Sequence, residues 1–255
     1  EEICPTLLRF DEPNRVLVLA DLGDAERLDR ALARGADVHR ALAAIAAFLG
    51  RVHAATRDPG LAARFANDAM RRLHGEHIFS LPLRPNDFPL PEGLRPHAAA
   101  LRADAQLVAA ADRAFARYLE LRGALLHGDV QPGNVLLGAA GPTLLDAEIA
   151  HVGDPAFDLG VLLAHVLLAA VARDARARAA ADATGLWDAY RSNAGGGAPR
   201  FAEVARHAGF EMLRRTIGAA RVPVVEPLPT AIAVLALARR WILTPPEAPE
   251  GMELR

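Results

Sequence analysis

The sequence predicts a mostly helical α+β chain. Two observations carry that prediction: long alanine-rich stretches with apolar residues at helical spacing, and short hairpin signals confined to the N-terminus and the middle. With 255 residues, 52% of them hydrophobic, the chain has the material for a large buried core.

Taken in order, Thr6 to Phe10 and Arg15 to Ala20 read as two strands joined by the turn formers Asp11-Glu12-Pro13-Asn14. After Asp21-Leu22-Gly23-Asp24 the pattern turns helical, and from Asp37 to Ala55 it sets Leu42, Ile45, Phe48, Leu49 and Val52 at helical spacing. The proline-rich stretch from Phe79 to Pro96 reads as an irregular covering loop. A single helix is expected over Pro96 to Leu121, with Leu101, Val108, Phe115 and Leu119 on one face, ending before Gly123. Strands Val135 to Leu137 and Thr143 to Leu145 form the central hairpin across Gly138-Ala139-Ala140-Gly141-Pro142. Beyond Asp158 the chain is again helical, interrupted at Asn193 to Gly197 and Pro223 to Pro229. The nearly continuous apolar run Leu159 to Ala172 marks a central helix, and Trp187 and Trp241 are assigned to the core.

Composition removes several function classes. A formal charge of -2 provides no global field for nucleic acid or an anionic membrane. One cysteine, Cys4, permits neither an internal disulfide nor a thiolate cage. The run Leu159 to Ala172 is shorter than the roughly 20 residues of a membrane span, and the start lacks an export pattern, so a cytoplasmic protein is expected. All 29 Lys plus Arg residues are arginine, which excludes any mechanism drawing on a lysine of this chain.

The chemistry concentrates around the central hairpin. Antiparallel strands of equal length bring their outer ends together, so Asn134 before the first strand should lie beside Asp146 after the second. Asn134, Asp146 and Glu148 are hard oxygen donors suited to a magnesium ion that keeps waters and substrate phosphates. Asp129 sits five residues before Asn134, where an attacking hydroxyl would need a proton acceptor. His53, His165 and His207 show no metal-site spacing and are assigned to packing or the surface. Arg214 and Arg215, being consecutive, point about 100° apart on a helix and are expected on a solvated face.

The run Leu126-His127-Gly128-Asp129-Val130-Gln131-Pro132-Gly133-Asn134-Val135-Leu136, then Leu145-Asp146-Ala147-Glu148, then Gly153-Asp154-Pro155-Ala156-Phe157-Asp158-Leu159, resembles the aminoglycoside phosphotransferase and choline kinase group of kinase-like enzymes. The resemblance implies a protein-kinase-like large lobe (25–255) preceded by the last strands of a small lobe and a hinge (1–24). It implies ATP and Mg2+, Asp129 as catalytic aspartate, and Asn134, Asp146 and Glu148 as metal ligands. His127 and Asp158 would brace the loop, and Leu19, Ala20, Asp21 and Leu22 would form the hinge that receives adenine. The segment Glu211 to Val222 is similar to the paired-arginine helix of methylthioribose kinases, which makes Arg214 and Arg215 substrate candidates.

Neither the glycine-rich loop nor the phosphate-gripping lysine of a kinase is present, so the chain alone is expected to be weakly active or inactive. Truncation, disorder and a degraded kinase all fit that absence. The expected function is transfer of the ATP γ-phosphate to a hydroxyl of a small polar metabolite, with a sugar such as methylthioribose as one candidate acceptor. An aminoglycoside or choline-type kinase and a non-catalytic nucleotide-binding protein are the alternatives. From Phe201 onward the chain carries six Glu, no Asp and seven Arg, which favours a neutral or anionic acceptor over a polycation.

Overall fold

A computed structural model describes residues 3–253. Strands β1 (Leu7–Asp11) and β2 (Val16–Leu19) form an antiparallel hairpin with Asp11 opposite Val16. The side chain of Asp11 closes its turn by accepting from the Asn14 backbone N–H at 3.2 Å. Its apolar side chains stand in the open, from 41% exposed at Leu19 to 63% at Leu8.

A short strand β3 (Glu26–Arg27) follows, then helices α1 (Leu28–Arg34), α2 (His39–Ala55), α3 (Pro59–Arg64) and α4 (Asp68–Gly75). The proline-rich connection is irregular, as its composition dictates, but opens with a π turn at Glu76–Ser80 and holds 3-10 turns at Leu81–Leu83 and Glu92–Leu94. It is anchored by Phe79, which is buried against Phe115, Tyr118 and Phe210.

The single helix expected over Pro96 to Leu121 is in fact two, α5 (Arg95–Ala103) and α6 (Ala105–Glu120). Asp104 breaks it: extended at φ -76, ψ 98, it accepts from the Gln106 and Leu107 N–H groups and so caps α6. At the other end of α6, the buried Arg71 donates to the carbonyls of Tyr118 and Leu121.

Then come β4 (Ala124–Leu126), β5 (Val135–Gly138), β6 (Gly141–Leu144) and β7 (His151–Gly153). The predicted central hairpin is β5–β6, with Val135 opposite Leu144. β3 extends it to three strands, while β4 and β7 pair separately as a two-stranded ribbon. β3, β4 and β7 were not expected. At two to three residues each they carry no alternation to read and exist through their partners.

Helices α7 (Ala156–Arg173), α8 (Arg176–Asn193), α9 (Phe201–Ile217) and α10 (Leu228–Leu243) complete the chain. α7 packs on α9 and α8, α8 on α2, and α9 on α10. α7 has 18 residues and a mean hydropathy of 1.8, long and apolar enough to cross a membrane, but it lies 83% buried as the central core helix. Apolar side chains cover it all round, which is why its sequence shows no polar face. Trp187 and Trp241 are buried in the core as expected.

Candidate active site

The loop from His127 to Asn134 connects β4 to β5 and is pinned from below by the first turn of α7. Asp158, fully buried there, accepts from the backbone N–H of His127 at 2.8 Å and of Gly128 at 3.0 Å. Nε2 of the buried His53 lies 3.3 Å from the same carboxylate, and His53 Nδ1 lies 2.9 Å from the Tyr190 hydroxyl. Burial alone would raise the Asp158 carboxyl, but the His53 imidazole, first through its hydrogen bond, together with the nearby His127 and the Gly128 N–H, holds it below its ordinary value. Gly128 turns the chain at φ +88, and a Cβ there would meet the Ile149 carbonyl oxygen at 2.8 Å, so this corner requires glycine.

His127 joins the loop to the end of the hairpin. Its Nε2 donates to the Leu145 carbonyl at 3.0 Å while Nδ1 accepts from the Asp129 N–H at 3.3 Å, one consistent tautomer. Oδ2 of Asp129 accepts from Gln131 Nε2 at 3.0 Å and Asn134 Nδ2 at 3.1 Å. Oδ1 of Asp129 is buried and without a hydrogen bond among the described residues, with an Arg215 guanidinium nitrogen 3.8 Å away. One carboxylate oxygen is therefore held by two amides, and the other faces Arg215 without a hydrogen bond.

The Asn134 carbonyl accepts from the Leu145 N–H at 2.8 Å, which brings Asn134 alongside the start of the Asp146 segment. Asp146 adopts a left-handed conformation at φ 68, a costly geometry for a residue with a Cβ. The Asp146 carboxyl beside it raises the Glu148 carboxyl above its ordinary value, with Asp129 adding to the repulsion. Asn67, at the start of α4, fixes the segment by donating to the carbonyls of Glu148 at 3.1 Å and Ala150 at 3.2 Å.

Crowded carboxylates of like charge suit a divalent cation. Among the described residues no cluster of three or more His, Cys, Asp or Glu side chains forms a metal cage. The protein ligands on offer are thus few: the Asp146 and Glu148 pair and the Asn134 amide. That set fits Mg2+, which prefers hard oxygens and takes its remaining ligands from water and phosphates.

The solvated face expected for Arg214 and Arg215 is overturned. α9 is buried on most sides, and both guanidinium groups turn inward to Glu211, Arg215 Nε at 2.5 Å and Arg214 Nη1 at 3.1 Å. Burial would raise the Glu211 carboxyl, but Arg215 and Arg214 beside it hold it well below the usual range. His165 Nε2 lies 3.5 Å from Glu211, and burial keeps that imidazole below its ordinary pKa. His207 Nε2 lies 3.8 Å from Asp154, so His53, His165 and His207 all face buried carboxylates.

At the hinge, Leu19 ends β2, the Ala20 N–H is committed to the Thr6 carbonyl at 2.9 Å, and Asp21 accepts from the Gly23 N–H at 3.1 Å. Leu22 follows, half-buried, ahead of β3. Sequence reasoning gave no role to Gln131, Asn67 or Glu211 and assigned His53 to packing or the surface. Glu211 alone carried a readable signal, since it stands four residues before Arg215 on one helix.

A pinned loop with Asp129 and Asn134, an acidic pair beyond a hairpin, and a helical lobe behind them define a kinase-like phosphotransferase. The chain belongs to the APH phosphotransferase enzyme family, whose sequence model matches residues 4–192. It is 26% identical over 250 residues to methylthioribose kinase of Bacillus velezensis, covering 86% of this chain and 63% of that protein. Against methylthioribose kinase of Geobacillus kaustophilus the identity is 28% over 251 residues, with the same coverage of 86% and 63%. The chain therefore spans 63% of the length of these relatives. A solved choline/ethanolamine kinase family protein from Mesorhizobium loti shares the fold at a TM-score of 0.52 and 19% identity, over 95% of this chain and 75% of that one.

Proposed function

We propose that the protein transfers the γ-phosphate of ATP to a hydroxyl of a small polar metabolite, with a sugar such as methylthioribose as the leading acceptor class. In this reading residues 1–24 end a small lobe and hinge, and 25–255 form the lobe that carries the chemistry. The observation that carries it is the Asp129 carboxylate, one oxygen fixed by Gln131 and Asn134 and the other buried without a hydrogen bond.

Asp129 Oδ1 takes the proton of the acceptor hydroxyl as the acceptor oxygen bonds to the γ-phosphorus and the bond to the β–γ bridging oxygen breaks, the electron pair leaving with ADP. Asn134, Asp146 and Glu148 would hold Mg2+, which supplies neutralisation of phosphate charge. Asp158 and His127 keep Asp129 at a fixed place on its loop. The relatives' activity and the arginine-rich C-terminal region support a neutral or anionic acceptor over a polycation.

The test is ATP turnover by the full-length gene product against sugars, amino alcohols and aminoglycosides. Acceptor-dependent turnover is expected, falling by about 10²- to 10⁴-fold in Asp129→Ala. Nucleotide binding with no acceptor turned over would replace this reading with a non-catalytic, nucleotide-binding one.

A further inference from the structure

A cavity of about 280 Å³ opens among α6, α9 and α10, with Asp154, just ahead of α7, in its lining. No residue of the catalytic loop, the hinge or the acidic pair lines it. Arg206 does, and it stands nine residues before Arg215 on α9, roughly 14 Å along the helix axis from the turn that approaches Asp129. The space is therefore at the far end of α9 from the proposed chemistry.

Its apolar lining is Ala110, Ala114, Phe210, Ile242 and Leu243, and its charged lining sets three arginines, Arg113, Arg117 and Arg206, against two carboxylates, Asp154 and Glu203. Both carboxylates are already engaged. The buried Asp154 accepts from Arg117 Nε at 3.2 Å and from the Ala156 N–H at 3.1 Å, while Glu203 lies 3.4 Å from Arg117 and 3.5 Å from Arg200. Arg113 and Arg206 form no ion pair among the described residues, and Arg206 only donates Nε to the Ile242 carbonyl at 3.3 Å. His207 also lines the cavity, with its side chain 10% exposed. Its Nδ1 is buried without a hydrogen bond among the described residues, and its Nε2 stops 3.8 Å from Asp154, too far for one. The protein thus leaves two guanidinium groups and an imidazole beside this space with hydrogen-bonding capacity unused. An amine would meet the arginines, and a dianion would meet the two carboxylates as well. A single negative charge on an apolar body satisfies both the excess cation and the floor.

We infer that this cavity is a second ligand site, separate from phosphoryl transfer, and that it takes a small organic monoanion: a carboxylate head between Arg113, Arg206 and His207, and an apolar body against Phe210, Ile242 and Leu243. The inference stands whether or not the chain transfers phosphate, because none of its residues belongs to the candidate active site.

Hexanoate, hexanol, hexylamine and acetate separate the contribution of the head from that of the body. In NMR titrations of the protein, hexanoate should bind about tenfold or more tighter than each of the other three, since hexanol lacks the charge, hexylamine reverses it and acetate lacks the methylenes that leave water. Hexanoate should also raise the urea midpoint at a concentration where hexanol does not, because a ligand that binds only the folded chain stabilises it. Arg113→Gln alters an exposed side chain with no ion pair to lose, so it should weaken hexanoate about tenfold while the urea midpoint without ligand stays unchanged. Arg117 is unsuitable for this purpose because it also holds Asp154. Ala114→Phe, which fills the cavity from a half-buried position on α6, should remove hexanoate binding. Hexanol or hexylamine binding as tightly as hexanoate would overturn the inference, and so would the absence of any hexanoate binding. Hexanoate affinity that survives Arg113→Gln would place the anion elsewhere on the molecule and overturn it too, whether or not Ala114→Phe folds.

Discussion

Glu211 holds together more of this lobe than its plain helical position suggests. Its two oxygens receive Arg215 and Arg214, His165 stands 3.5 Å off, and Arg215 reaches on to within 3.8 Å of Asp129. Glu211 at 1% and Arg215 at 6% exposure are buried, while Arg214 and Asp129 are partly so. Removing one member of a buried ion pair is worse than removing both, because the survivor keeps its desolvation cost and loses its partner. Glu211→Ala should therefore destabilise the protein by about 3–5 kcal/mol, measurable as a lower urea midpoint. Glu211→Gln, which keeps a hydrogen-bond acceptor for Arg215, should lose distinctly less. Equal losses in the two variants would mean that the charge on Glu211, and not its packing volume or a neutral hydrogen bond to Arg215, matters at this position.

At the level of elements, Asp104 decides whether one helix or two crosses the lobe. It satisfies the first N–H groups of α6 and also meets Arg239 of α10 at 2.7 Å, a pair that is 45% exposed on the arginine side. Loss of the cap costs about 1 kcal/mol and the exposed pair adds at most about as much again. Asp104→Ala should accordingly lower Tm by about 2–6 °C, and Asp104→Ser should recover most of the cap's share. The break was hidden in the sequence because the apolar spacing of Leu101, Val108, Phe115 and Leu119 runs straight through it. Where periodicity was long, as in α2 and α7, or turn chemistry explicit, as in the central hairpin, the elements were legible. The two- and three-residue strands β3, β4 and β7 were not, since only their partners make them strands. The candidate site divides the same way. The loop around Asp129 and the acidic pair stand close together in sequence, while Asn67, His53 and Glu211 come from distant elements and required the fold. The inward turn of Arg214 and Arg215 likewise depends on what packs around α9, and not on the angle between neighbouring residues.

Across the whole molecule, buried imidazoles tie stability to pH. Burial, with Arg214 beside it, lowers His74 to about 3, and His165 is lowered by burial as well. Arg214, Glu211, His151 and Arg215 all act on His74, and Glu211 only partly offsets the rest. Both imidazoles are thus neutral in the fold, where Arg214 Nη1 lies 3.4 Å from His74 Nε2, and both take a proton near pH 6.5 once unfolded. Between those two pKa values the unfolded chain binds more protons than the folded one, so stability falls as pH falls. For His74 the window runs from about pH 6.5 down to about 3, at roughly 1.4 kcal/mol per pH unit. The depressed carboxyls of Glu211, Asp158 and Asp154 act in the same direction, but only below the ordinary carboxylate pKa near 4.5 and 3.8. The interval from pH 6.5 to 5 therefore lies above those three carboxyls, and there only the raised Glu148 carboxyl works against the histidines. Urea midpoints taken across it should drop steadily with acid, and His74→Gln, which offers Arg214 an oxygen and cannot titrate, should flatten the slope by up to about 1.4 kcal/mol per pH unit. If the variant keeps the original slope, His74 is protonated in the folded protein, and the buried cluster around Glu211 then carries one more positive charge than the geometry described here allows.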